Sequence, residues 1–136
     1  MFPKADITVL QLSLDENAPA SFHYDLGREL RPLRDEGILF VGSGNIVHNL
    51  HVMKWGDSAF DWALESDATM ASLIEQSRHE ALVNYEKLPH SRLAIPTNEH
   101  YLPLLYVLGM MDDEALRFFN VQVTLGSISM RSLRIG

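Results

Sequence analysis

The stretch at residues 38–50, ILFVGSGNIVHNL, constrains the fold most. An apolar run passes through Gly42-Ser43-Gly44-Asn45 and ends on a histidine, His48. Just before it, Phe22, Leu26, Leu30 and Leu33 recur at helical spacing, with Ser21 as a candidate cap, Pro32 as a kink and Gly37 as the stop. Earlier still, residues 7–14 (ITVLQLSL) read as a buried strand closed by a loop at Asp15-Glu16-Asn17-Ala18-Pro19. Strand, helix, strand makes one βαβ unit, so the expectation is an α/β fold with a mostly parallel central sheet and flanking helices. Sheets of that kind place their chemistry where strands end, which draws attention to His48.

Downstream, the pattern predicts a loop over 49–57 and a helix from about Ser58. Phe60, Ala63, Leu64, Ala68 and Ala71 lie on one face of that helix. A shorter helix follows over about 80–86, and another over about 99–109, with Thr97 as its cap, Pro103 early in it and Gly109 at its end. Residues 118–125 and 127–135 read as two strands joined at Gly126. Neither a repeat nor a linker interrupts the 136 residues, which suit one domain with a sizeable core.

Composition narrows the function. A net charge of −7 with no run among the eleven basic residues argues against nucleic acid as partner. With no cysteine, a transition metal would have to be held by histidine and carboxylate. The amino-terminal residues do not read as a signal peptide, and no stretch has the length and apolarity of a membrane span. A cytoplasmic protein with no membrane partner is expected.

Six histidines are the candidates for chemistry. His23, His79 and His90 sit in polar helical or loop segments and read as surface or capping residues. His51 is near His48, but nothing around it fixes its ring. The two glycines before His48 allow close backbone approach or an anion cradle, although the usual phosphate fingerprints are absent. His100 opens a helix behind Pro96, where the helix dipole disfavours a cation, and a neutral imidazole is what a metal needs. Glu99 beside it reads as a carboxylate satisfying that dipole.

Gly42-Ser43-Gly44-Asn45-x-x-His48-Asn49 and Pro96-Thr97-x-x-His100-Tyr101-x-Pro103-Leu104, with ADITVLQLSLD before them and GSISMRSLRIG after, resemble the 4,5-DOPA extradiol dioxygenase family. This is a branch of the class III ring-cleaving enzymes, of the protocatechuate 4,5-dioxygenase type. The resemblance runs over essentially all of residues 1–136 and matches the C-terminal half of a larger single domain, a catalytic α/β sandwich in three layers. It implies cleavage of a catechol, such as L-DOPA, with O₂ at one mononuclear non-haem Fe(II), or Zn(II), per complete domain. His100 then matches a metal ligand. His48 matches the acid–base residue, which also serves as a ligand in some readings. Two further histidine ligands belong to an N-terminal half with no counterpart here, so this chain alone is expected to be inactive. The alternative is a non-catalytic remnant or interaction module that needs a partner chain. Either way, apolar surface left uncovered by the absent half would favour self-association.

Overall fold

The structure is a computed structural model, and it describes residues 3, 4, 6–56 and 58–136. Helix α1 (Ala20–Leu30) is followed by α2 (Asp61–Glu75), α3 (His79–Val83), α4 (Ser91–Ala94) and α5 (Leu102–Gly109). Four short strands complete the chain: β1 (Leu116–Phe119), β2 (Val123–Thr124), β3 (Ile128–Ser129) and β4 (Ser132–Ile135). No helix is long and apolar enough to cross a membrane.

Helix α1 begins at Pro19 rather than at Ser21, because proline's fixed φ suits the entry to a helix. Pro32 tightens its end into a 3₁₀ turn, Arg31–Arg34. The face it buries is not the expected Phe22 stripe: His23 and Gly27 are buried, whereas Phe22 is exposed. The reason is close helix packing. A Cβ on Gly27 would collide with the backbone of Tyr106 in α5, and one on Gly109 with the backbone of Tyr24 in α1, so two glycines let these helices touch. His23, expected at the surface, is thereby enclosed, with Nδ1 3.0 Å from the Tyr106 hydroxyl. His79 is also partly enclosed, its Nδ1 3.0 Å from the Tyr24 hydroxyl. His90 keeps the expected surface position, facing Glu65 at 3.0 Å.

The core lies between α2, α3 and α5, with Met70, Ile74, Leu82, Tyr101, Leu102 and Leu105 almost fully buried. Helix α2 turns Ala63, Ser66, Asp67, Met70, Ala71 and Ile74 inward, one step round from the expected face, and Leu64 stays exposed. The expected helix over 80–86 splits into α3 and a 3₁₀ turn, Tyr85–Lys87. The loop after His48 contains a 3₁₀ turn, Leu50–Val52, and Asp57, assigned to that loop, lies outside the described residues.

The two expected C-terminal strands break into four. β1 pairs antiparallel with β4, and β2 with β3, so a small hairpin turning at Leu125 and Gly126, both at positive φ, nests inside a wider one. A buried ion pair ties this unit to α2: Arg131 Nη2 meets Asp67 Oδ2 at 2.6 Å, and the Ser129 hydroxyl donates to Asp67 Oδ1 at 2.6 Å.

The expected parallel strands are where the structure departs most from the sequence reading. Every ladder among the described residues is antiparallel. Residues 7–14 and 39–44 make no backbone–backbone hydrogen bond among the described residues. Neither forms a strand, and most of their residues are exposed, Leu10 at 90% and Leu39 at 81%, while Leu14 and Phe40 are partly buried. A β-strand, unlike a helix, cannot satisfy its own N–H and C=O groups, and no strand among the described residues pairs with these stretches.

Candidate metal centre

Where 38–44 ends, the chain becomes well held. The Asn45 N–H donates to the His100 carbonyl (2.9 Å) and its side-chain amide to the Ser129 carbonyl (2.7 Å). Residues 46–49 then run buried beside β3, with His48 opposite Ile128 in an antiparallel bridge. Backbone bonds lock this edge: His48 N–H to the Ala94 carbonyl (2.8 Å), and Ser129 N–H to the Val47 carbonyl (2.9 Å). Gly44 explains the small-residue loop. A Cβ there would run into the His100 carbonyl, so this glycine lets two backbones come together.

His100 is placed by its neighbour. Tyr101 is fully buried and its hydroxyl donates to the Leu82 carbonyl at 2.8 Å, which anchors the turn before α5. Helix α5 starts at Leu102, with Tyr101 as its cap and Pro103 in the first turn, so Thr97 is not its cap. The Thr97 hydroxyl donates instead to Glu99 Oε1 at 2.8 Å and lies 3.5 Å from His48 Nε2.

His48 and His100, far apart in sequence, therefore meet: their ring centroids are 4.6 Å apart, inclined at 41°. Glu99 joins them, its Oε1 3.9 Å from His48 Nε2. One donor atom from each of His48, Glu99 and His100 lies within 4.8 Å of the others, a set able to hold one metal ion. His51 is not part of that cluster. Two imidazoles and a carboxylate suit iron or zinc, and two histidines with one carboxylate is the donor set of many non-haem iron oxygenases.

Electrostatics favour a bare nitrogen and a bare carboxylate here. Burial first, then repulsion from His100, pushes the His48 pKa down, against an opposing pull from Glu99. Partial burial pushes Glu99 up. The Thr97 hydroxyl, its own backbone amide and the two imidazoles outweigh this and hold Glu99 below the usual carboxylate range. Within the site, His48 Nδ1 is buried without a hydrogen-bond partner among the described residues. A cavity of about 430 Å³ opens beside His100, lined there by Gly44, Asn45, Leu104 and Val107.

Sequence reading left open whether Glu99 reaches the site, because its place at a helix start offered a complete explanation. The signal was its adjacency to His100, with Thr97 two residues earlier to orient it.

The family described as the catalytic LigB subunit of aromatic ring-opening dioxygenase matches residues 1–130. This chain belongs to the LigB family. Among LigB relatives, the Escherichia coli K12 protein named 4,5-DOPA dioxygenase extradiol is 46% identical over 145 residues, which take in 100% of this chain and 52% of that protein. The Portulaca grandiflora protein of the same name is 41% identical over 80% of this chain and 41% of its own length. A crystal structure of an uncharacterized protein from Escherichia coli K12 superposes with a TM-score of 0.91 at 45% identity. It covers 100% of this chain and 58% of that one, so the fold is α/β in class and the extended stretches fall within the match. The chain spans about half the length of the curated relatives it matches.

Proposed function

We propose that this LigB-family chain is the C-terminal part, residues 1–136, of an extradiol ring-cleavage dioxygenase of the cytoplasm. The substrate class is a catechol such as L-DOPA, with O₂ as co-substrate and one Fe(II) or Zn(II) ion per complete domain. The observation that carries this reading is the convergence of His48, Glu99 and His100 donor atoms within 4.8 Å. The names of the relatives support the substrate class.

In this reading His100 holds the ion, and Glu99 and His48 lie within reach of it. The bound ion would supply Lewis-acid or redox activation of the diol and O₂. His48 moves protons: a catechol must lose protons as it binds, and a ring-opened product must gain them. A buried imidazole whose pKa is held below the ordinary value can accept a proton and return it. Glu99, kept charged by the Thr97 hydroxyl, stabilises the imidazolium formed meanwhile. The cavity beside His100 is within the size range of small-molecule sites.

The same reading places this chain in a three-layer sandwich whose further strands complete a mostly parallel sheet. The unpaired backbone of 7–14 and 39–44 supports that, as does the half-length match to relatives. In this reading two further histidine ligands, implied by the family resemblance, come from the part of the relatives that this chain does not cover, so the chain alone binds the metal weakly and is inactive. The test mixes this chain with the remaining part of the Escherichia coli relative, Fe(II), O₂ and L-DOPA. Yellow ring-opened product is expected in the mixture only, and not with His100→Ala. No product from a folded mixture would overturn the proposal.

A second reading is a non-catalytic module that works only on a partner chain, and the exposed apolar run at Leu39 and Val41 favours it. It predicts concentration-dependent association in sedimentation without metal binding.

A further inference from the structure

Asn45 grips both sides of the metal centre without supplying a donor atom to it. Its backbone N–H meets the His100 carbonyl at 2.9 Å, and its side-chain amide meets the Ser129 carbonyl at 2.7 Å. We propose that Asn45 is a positioning residue: its side-chain amide ties the backbone of His100 to the strand that runs beside His48, and so holds the two loops of the centre at binding distance.

His100 is exposed, so its position depends on how its backbone is held. The N–H groups of Tyr101 and Leu102 close a turn on the Asn98 carbonyl, at 2.8 and 2.9 Å, and the Asn45 N–H carries that turn across to the 38–50 stretch. On the other side of the centre, His48 faces Ile128 of β3 across the antiparallel bridge. The next residue of β3, Ser129, is the fixed point. Its N–H donates to the Val47 carbonyl at 2.9 Å and its hydroxyl to Asp67 Oδ1 at 2.6 Å, and Asp67 is itself locked to Arg131. The remaining polar group of Ser129, its carbonyl, takes the Asn45 amide. A continuous path therefore runs from a buried ion pair through Ser129 and Asn45 to His100.

The link depends on a donor. A backbone carbonyl only accepts, so the atom of Asn45 that faces Ser129 is the amide nitrogen. An aspartate has the same shape and would set lone pairs against lone pairs there. This separates two effects that otherwise run together. An added carboxylate attracts a cation, whereas a lost tie lets the loops drift apart. The consequence for binding rests on the metal-centre reading above: ligands held in place before the ion arrives bind it more tightly, and losing an outer support typically costs about 10–100-fold in affinity.

The test is NMR on the chain, first metal-free and then titrated with Zn²⁺, for the unsubstituted protein, Asn45→Leu, Asn45→Asp and Ile74→Ala. Ile74 is fully buried in α2, outside the centre, and serves to match a general loss of stability. Without metal, the nuclear Overhauser effect between the His48 and His100 rings, whose centroids lie 4.6 Å apart, is expected in the unsubstituted chain and in Ile74→Ala, and is weakened in both Asn45 variants. Zn²⁺ should bind roughly tenfold more weakly to both Asn45 variants and unchanged to Ile74→Ala. Weaker binding by Asn45→Asp is the sharpest sign, because attraction to the new carboxylate alone would tighten it. An undiminished ring contact in the Asn45 variants overturns the proposal, as does Zn²⁺ binding by them as tight as in the unsubstituted chain or tighter. An equal loss in Ile74→Ala overturns it too, since that marks general loosening. If Asn45→Leu does not fold, Asn45→Asp, which keeps the shape, decides. A weakened ring contact in the variants with no Zn²⁺ bound even by the unsubstituted chain removes the metal reading and leaves Asn45 as the tie. Zn²⁺ binding with an unaltered ring contact removes Asn45 and leaves the metal reading.

Discussion

Helix α5 and the stretch at 38–41 are both short and strongly apolar, and they end up differently. In α5, Leu102, Leu105 and Leu108 are completely buried against α1 and α3, whereas Ile38, Leu39 and Val41 are 46%, 81% and 64% exposed. The difference lies in the backbone. A helix closes its own hydrogen bonds and needs neighbours only for one face. An extended run needs a partner strand on each side before burying its side chains can stabilise it. One apolar sequence is therefore packed within the described chain, and the other has no paired strand beside it among the described residues.

That contrast can be broken by mutation. The largest effect is expected where the self-sufficient region is cross-tied. Asp67→Ala strands Arg131, whose side chain is only 11% exposed, and should cost about 3–5 kcal/mol in urea unfolding. Leu105→Ala, in the fully buried face of α5, should cost about 2–5 kcal/mol by the same measurement. A cost below about 1 kcal/mol at either site would mean that the helical region is not the packed one.

A smaller effect comes from pH. Burial depresses the pKa of His79, and burial and His100 depress that of His48. The unfolded chain, with imidazoles near 6.5, then binds protons more readily than the folded chain. Stability should be fully present above about pH 6.5 and be lost as the pH falls from there through the lower folded values. Thermal melts of His79→Asn should show a shallower loss, and an unchanged slope would contradict the burial of that ring. The smallest stability effect is expected in the dependent region. Leu10→Lys with Leu39→Lys should change unfolding free energy by less than about 0.5 kcal/mol, while lowering association in sedimentation. A large destabilisation would show those side chains to be buried after all.

The same contrast explains what could be read from sequence. Helices α1, α2 and α5 were legible because the 3.6-residue period is local, although which face turns inward was not. Gly27 and Gly109 decide that through close packing, and no hydrophobic count registers a glycine as core. His23 was misplaced for the same cause, since its burial depends on Tyr106, which is distant in sequence. Residues 7–14 and 38–41 carry strand composition, but pairing belongs to the partner and cannot be seen in the strand itself. At the site, the family motifs pointed to His48 and His100, whose rings lie 4.6 Å apart. Glu99 and Thr97 were hidden by sufficient local explanations, a dipole and a cap, which the structure replaces with contacts to each other.

The central claim is that His48 and the Glu99–His100 pair, from two separated loops, form one cation site. Calorimetric titration of Zn²⁺ into the chain and into His100→Ala tests it most directly. The account predicts one weak site per chain, abolished by His100→Ala. Binding that survives this substitution, or that occurs at some other stoichiometry, would contradict it.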